Sequence, residues 1–392
     1  MNCNWKSSTI ADVCKVVTDG AHNSPPSVDD GEYMVSVKDF SEYGFDFTSC
    51  RKISRGDYDK LMNAGCVPEI DDVLIGKDGA RYFEDVIIYR QKEKPALLSS
   101  IAILRADKEK ILPGFLYYTM KIPSFKKNVR DNFGSGSAIP RIVLKDFKRM
   151  EICYPSVVEQ EIIVQFLEVL DGKIRINRRI NETLVQQAKA AFDNFYKNAE
   201  MEVLFTSIID VLGGGTPKTS NREFWNGNIP FFTPKDVGNP YTFQTEKYIT
   251  ESGLEQCNSR LYPMNTSFVT ARGTVGKVSL AGKPMAMNQS CYALMSKVLD
   301  PILVYFYTLK AIDSLKHKAS GAVFDAIVTR DFESEVISLI SEEDSEKLLA
   351  IIKPMMEAIH SNAEEIQRLS SLRDILLPRL MSGEIDVSNV AI

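Results

Sequence analysis

Residues Glu159 to Tyr196 read EQEIIVQFLEVLDGKIRINRRINETLVQQAKAAFDNFY, a run without proline and with one glycine, Gly172. Leu167, Leu170, Ile174, Asn177, Asn181, Leu184, Ala188 and Ala191 follow one another at alternating spacings of three and four, the spacing of a heptad seam. A second seam, Ile352, Met355, Ile359, Asn362, Ile366 and Leu369, has the same phase 185 residues later, with Asn362 answering Asn177. Two such helices suit a coiled-coil pair in which Asn177 and Asn362 face each other and fix register. The alternative is two amphipathic helices, each packed on its own domain. Pro354 should kink the second helix or form the first turn of its longer part, and Pro378 marks its expected end. A helix of about 38 residues rises roughly 57 Å, more than a small domain is wide, so it acts as a spacer.

Working outward, the chain repeats itself. Ile103 to Met120 (ILRADKEKILPGFLYYTM) aligns with Ala293 to Lys310 (ALMSKVLDPILVYFYTLK), and Ser100 to Leu104 aligns with Ser290 to Leu294. Ser135-Gly136-Ser137-Ala138 through Phe147 aligns with Ser320-Gly321-Ala322-Val323 through Phe332, and Val73 to Gly79 with Phe268 to Thr274. A period near 190 residues is too long for a solenoid unit, so the chain holds two copies of a whole domain. The expected segments are 1–157 (first domain), 158–197 (first helix), 198–341 (second domain) and 342–392 (second helix and tail). The fold class is α/β (α+β): two homologous domains with antiparallel-rich sheets, suggested by runs such as Val86 to Tyr89, separated by two long helices in a pseudo-twofold internal repeat.

Composition permits this. The chain has 392 residues, 44% of them hydrophobic and 25% charged, enough for two cores. No stretch reaches the roughly 18 apolar residues of a membrane span and the N-terminus lacks a signal-peptide core, so a cytoplasmic location without membrane contact is expected. Seven cysteines without a C-x-x-C pair suit reduced thiols, and with three scattered histidines no metal site is expected. The net charge of −5 argues against a general polyanion binder, yet residues 105–149 hold eleven basic against four acidic residues. That excess is either a basic patch or a solvated lysine-rich surface.

Catalytic signatures are missing. Gly273-Thr274-Val275-Gly276-Lys277-Val278 has the wrong spacing for a P-loop, and Gly134-Ser135-Gly136 lacks the rest of a dinucleotide fingerprint. Asn239-Pro240-Tyr241 is one proline short of an amino-methyltransferase motif, and Asp29-Asp30 and Asp71-Asp72 read as turn residues. No catalytic residue is assigned. What remains are polar loops at matching points of both copies: His22-Asn23-Ser24 against Thr216-Pro217-Lys218, Lys38 against Lys235 before an aspartate, and Lys77 against Arg272 in paired glycine-containing turns. With Arg81, Arg141, Lys277 and Gln289, these side chains suit phosphates and base edges.

The whole pattern resembles the specificity subunit of type I restriction-modification systems. The resemblance lies in Gly213 to Pro217 (GGGTP), Phe224 to Pro230 (FWNGNIP), Ile249 to Leu254 (ITESGL), Arg272 to Val278 (RGTVGKV), Asn288 to Ser290 (NQS) and the E-Q-x-x-I at the start of the first helix. The first copy departs from it with Asp19-Gly20-Ala21-His22, and the second has Glu343-Asp344 where the first has E-Q. The resemblance implies a non-catalytic recognition scaffold for double-stranded DNA, each domain reading half of a bipartite target and the two helices packed as an antiparallel coiled-coil pair that sets their separation. It further implies two modification (methyltransferase) subunits docked on it and restriction (translocase-nuclease) subunits beyond. S-adenosylmethionine, ATP and Mg belong to those partners, and none is bound by this chain. Two alternatives stay open: a scaffold for a fused methyltransferase-nuclease, and a coiled-coil adaptor that binds protein.

Overall fold

The computed structural model describes residues 5–134, 140–318 and 326–388. The repeat matches at Ser135 to Ala138 and Ser320 to Val323, and Cys3, lie outside the described residues. Two compact units emerge, Met1–Gly172 with Ser370–Ile392, and Lys173–Leu369. Each long helix, Val157–Lys197 and Glu342–Met381, gives one stretch to each unit.

In the first unit, alternating apolar strands form an antiparallel sheet in the order Cys14–Asp19, Ile101–Ala106, Val73–Gly76, Val86–Ile88. A three-stranded sheet (Arg51–Ile53, Glu32–Val35, Ala96–Leu97) and the pair Lys6–Thr9 with Glu151–Tyr154 complete it. The second unit repeats this order. Asp210–Gly213, Cys291–Met295, Ser267–Thr270, Val278–Ala281 and Tyr241–Thr242 form one sheet, Lys247–Ile249, Trp225–Phe232 and Ala286–Met287 another, and Met201–Leu204 pairs with Val336–Leu339. The central strands are buried on both faces, one face by helix Pro113–Lys121 or Pro301–Lys318 and the other by residues of the second sheet such as Val35 and Leu97 or Phe232 and Met287, which explains their continuous apolar runs.

The first long helix starts where its sequence signals it. The Ser156 hydroxyl accepts from the Glu159 backbone N–H at 3.3 Å, and the Ser156 N–H donates to Glu159 Oε2 at 3.1 Å, a reciprocal cap. Gln160, fully buried, accepts from Leu112 N–H at 2.8 Å and donates to the carbonyls of Lys110 and Pro155, fastening the helix to the domain. The counterpart of Glu159 is Asp344, whose N–H donates to Ser341 Oγ at 3.2 Å, one residue later than the sequence comparison placed it. The second helix begins at Glu342 and runs through Pro354, which neither starts nor ends it, and Pro378 sits in its last turn.

The seam residues are largely internal. Leu167 packs with Leu377, Leu380 and Met381 in the first unit's core. In the second unit Ile352, Ile359 and Met356 are buried, whereas Met355, Leu184, Ile366 and Leu369 are half-buried. Leu170, Ile174 and Asn177 are buried too. Asn177 and Asn362 do not face each other. Asn177 Nδ2 donates to Glu365 Oε2 at 2.7 Å, and Asn362 Nδ2 donates to Asn181 Oδ1 at 2.9 Å. In an antiparallel pair contacting numbers rise on one helix as they fall on the other, so equivalent positions of two copies meet only at one crossing point. Asn177 and Asn362 each stand about half a turn from it, on opposite sides.

Candidate nucleic-acid interface

Of the candidate loops, those at His22, Thr216 and Arg272 leave one end of each main sheet, while the Lys38 and Lys235 turns follow strands of the three-stranded sheets. In the first unit the strand Cys14–Asp19 ends opposite Ala102, and Gly76 closes the neighbouring strand opposite Ile101. The chain then turns tightly: Gly20 N–H donates to Ile101 O at 3.2 Å and Ala21 N–H to Leu97 O at 2.7 Å. A Cβ on Gly20 would stand 2.2 Å from Leu97 O, and on Gly214, its counterpart, 2.2 Å from Asn288 O. Glycine is therefore required at both turns. Beyond the turn His22, Asn23 and Ser24 are exposed, as are Thr216 and Lys218 in the second unit, and Thr216 hydrogen-bonds Gln289.

Lys38 and Lys235 occupy matching turns. Ser36 N–H donates to Asp39 Oδ2 and Thr233 N–H to Asp236 Oδ2, both at 2.8 Å, so the motif [Ser/Thr]-x-Lys-Asp locks a turn with an exposed lysine. Asp39 and Asp236 were not singled out from sequence, although their spacing from Ser36 and Thr233 is that of a capping box. A cleft of about 420 Å³ joins Lys38 to Gly79, Ala80 and Arg81 in the first unit. In the second, Thr274 Oγ1 donates to Pro234 O at 3.2 Å, tying the Arg272 turn to the Lys235 turn. Arg81 is ion-paired with Asp85 at 2.8 Å and Lys235 with Glu246 at 3.4 Å, all partly exposed. Arg141 is exposed on a bridge to Asp78, and Lys277 is exposed on the closing limb of the Arg272 turn.

Lys77 is the exception. It is buried, with Nζ 3.3 Å from Asp19 Oδ2 and 3.5 Å from Asp78 Oδ1, so it is not a surface contact. Its register explains why. Lys77 N–H donates to Ser100 O and its carbonyl accepts from Ile142 N–H, bonds that Ala271, not Arg272, makes with Ser290 and Ile327. The paired turns are offset by one residue from the sequence alignment, and a one-residue slip reverses which way a side chain points. Part of the local basic excess is also neutralised internally. Arg105 pairs bidentately with buried Asp72 (2.8 and 2.9 Å), Lys108 with Asp71 (2.8 Å), Lys126 and Arg130 with Glu84, and Arg149 with Asp146. Asp71, Asp72 and Glu84 lie outside residues 105–149, which is why counting charge within that stretch overstated it. Asp72, read from sequence as a turn residue, is the buried anchor of this network.

The family model of the type I restriction modification DNA specificity domain matches residues 2–186 and 200–371. The chain belongs to that family. Among its relatives, the type I restriction enzyme MjaIX specificity subunit of Methanocaldococcus jannaschii is 29% identical over 171 residues, 42% of this chain and 40% of that protein. The HindI specificity subunit of Haemophilus influenzae is 29% identical over 47% of this chain and 41% of its own length. These matches span about two fifths of each relative. The putative MjaX specificity subunit of M. jannaschii aligns over 98% of this chain and 94% of its own length at 21% identity. In fold, the S subunit of a type I restriction-modification system from M. genitalium covers 97% of this chain and 96% of its own with a TM-score of 0.61 at 14% identity. Within the specificity-domain fold, then, the two units share sheets, turns and the lysine-bearing lock, and differ in the loops around them. Among the described residues no helix is long and apolar enough to cross a membrane.

Proposed function

We propose that this chain is the DNA-recognition subunit of a type I restriction-modification complex, each unit reading one half of a bipartite target. The observation that carries the reading is the recurrence of Ser36-Val37-Lys38-Asp39 as Thr233-Pro234-Lys235-Asp236 after a strand of the three-stranded sheet in both units of a specificity-family chain. A fixed exposed lysine in each unit supplies a phosphate contact that orients the domain. The loops that differ, His22 to Ser24 against Thr216 to Lys218, supply the base contacts that make two half-sites different. A chain of net charge −5 needs such localised cations, since its overall field repels DNA.

On this reading the chain performs no chemistry. Two methyltransferase subunits hold S-adenosylmethionine, restriction subunits hold ATP and Mg, and the helix pair sets the separation of the half-sites. The test is co-expression with the proteins encoded beside this gene, with methylation mapped on genomic DNA in the presence and absence of the chain. A split motif of methylated adenines that vanishes without it supports the reading, and methylation that persists unchanged refutes it.

A further inference from the structure

We infer that His22 reads an amino-bearing base, adenine or cytosine, through its Nδ1 atom, and that the buried pair Asp19–Lys77 is what holds it there. The inference rests on the DNA-reading function above and names a contact within it.

The geometry is a relay from core to rim. Lys77, 7% exposed, places Nζ 3.3 Å from Asp19 Oδ2, and Asp19, 8% exposed, offers its other oxygen to His22 Nε2 at 3.2 Å. His22 itself is 75% exposed. A carboxylate paired with an ammonium only accepts hydrogen bonds, so Nε2 is the nitrogen that donates, and in the neutral imidazole Nδ1 then keeps its lone pair. In the major groove the donors that such an acceptor meets are adenine N6 and cytosine N4. Both ends of the relay are set by backbone bonds to the strand between them, Gly20 N–H to Ile101 O and Lys77 N–H to Ser100 O. Without Lys77, Asp19 would be a buried charge with no cation, an arrangement that forces the loop to move. The second unit has Gly213 and Ala271 at these two places and holds its loop by the Thr216–Gln289 contact instead. The relay is thus private to one reader, as a determinant of one half-site should be.

The experiment is methylation mapping by the full chain in its complex, comparing the wild type with His22→Ala, Lys77→Met and Asp19→Asn. His22→Ala and Lys77→Met relax discrimination at one and the same base pair of a single half-site by about tenfold, the worth of one hydrogen bond. Asp19→Asn, its oxygen still held by Lys77, lets an amide N–H donate to Nε2, which moves the proton to Nδ1. Preference at that base pair then shifts from the amino groups of adenine and cytosine to the acceptors guanine O6 or N7, thymine O4 and adenine N7, with cytosine disfavoured most. A purely structural role would not produce that change of base. Unchanged preferences in His22→Ala, or relaxation spread over both half-sites, overturns the inference. If Lys77→Met fails to fold, the other two variants decide. If the wild-type chain alters no methylation at all, the DNA-reading function fails and not merely this contact.

Discussion

Removing the guanidinium of Arg373 tests whether the helix pair is held in the first unit by a buried charge cluster. Arg373 Nη1 donates to Asp171 Oδ1 at 2.9 Å, and Tyr118 Oη donates to Asp171 Oδ2, also at 2.9 Å. Asp171 is 7% exposed and the Arg373 side chain 18%. Burial works against the Arg373 charge, yet the hydrogen bonds to Asp171 and Asp374 hold its pKa above the ordinary value, and burial followed by the Asp171 charge raises that of Tyr118. Stripping one partner from a buried pair costs about 3–5 kcal/mol. Because Tyr118 still satisfies one oxygen and the site is not fully closed, Arg373→Met should lie near the lower end, about 3 kcal/mol. Asp171→Leu should cost about the same, since it strands the Tyr118 hydroxyl and leaves Arg373 with only the exposed Asp374 as a partner. The double variant leaves only the tyrosine hydroxyl unpartnered, so it should cost about 3–4 kcal/mol rather than the sum of about 6, a coupling of at least about 2 kcal/mol. The chain's two tryptophans provide the assay. Trp5 stands edge-on to Phe115 in the first unit, 6.0 Å between ring centres, while Trp225 belongs to the second. In a Trp225→Phe background, urea unfolding followed by Trp5 fluorescence reports the first unit alone. Strict additivity of the two single variants would refute the cluster as a unit.

Replacing Asn181 and Asn362 together by leucine removes both members of one part-buried amide pair, so stability should hold or rise while tolerance of altered half-site spacing widens, read by methylation of spacer variants. The hydrogen bond from Asn177 holds the Glu365 carboxyl below its ordinary 4.5, so its contribution to stability is present above that pH and is lost as pH falls through the depressed value. Glu365→Gln should therefore flatten the acid limb of a stability-against-pH curve below about pH 4.5, and an unchanged limb counts against the contact. Lys38→Ala and Lys235→Ala should each lower the slope of log affinity against log salt by about one unit per phosphate released, and an unaltered slope in filter binding removes that lysine from the interface.

Sequence alone determined the duplication, the two long helices with their seams, and a lysine before an aspartate at matching points of both copies. These rest on signals that survive without coordinates: a fixed offset and a period of three and four. Folding decided everything that depends on which way a side chain points. Lys77 and Arg272 look equivalent in sequence, but the hydrogen-bond register pairs Lys77 with Ala271, so one lysine is sealed into an ion pair while the arginine reaches solvent. Asn177 and Asn362 are equivalent by repeat, yet antiparallel pairing assigns them Glu365 and Asn181. Part of the basic stretch 105–149 is paired by acids remote in the chain. A strand's face alternates with every residue and a helix's partner depends on the crossing point, so a one-residue shift that leaves a sequence pattern almost intact exchanges burial for exposure.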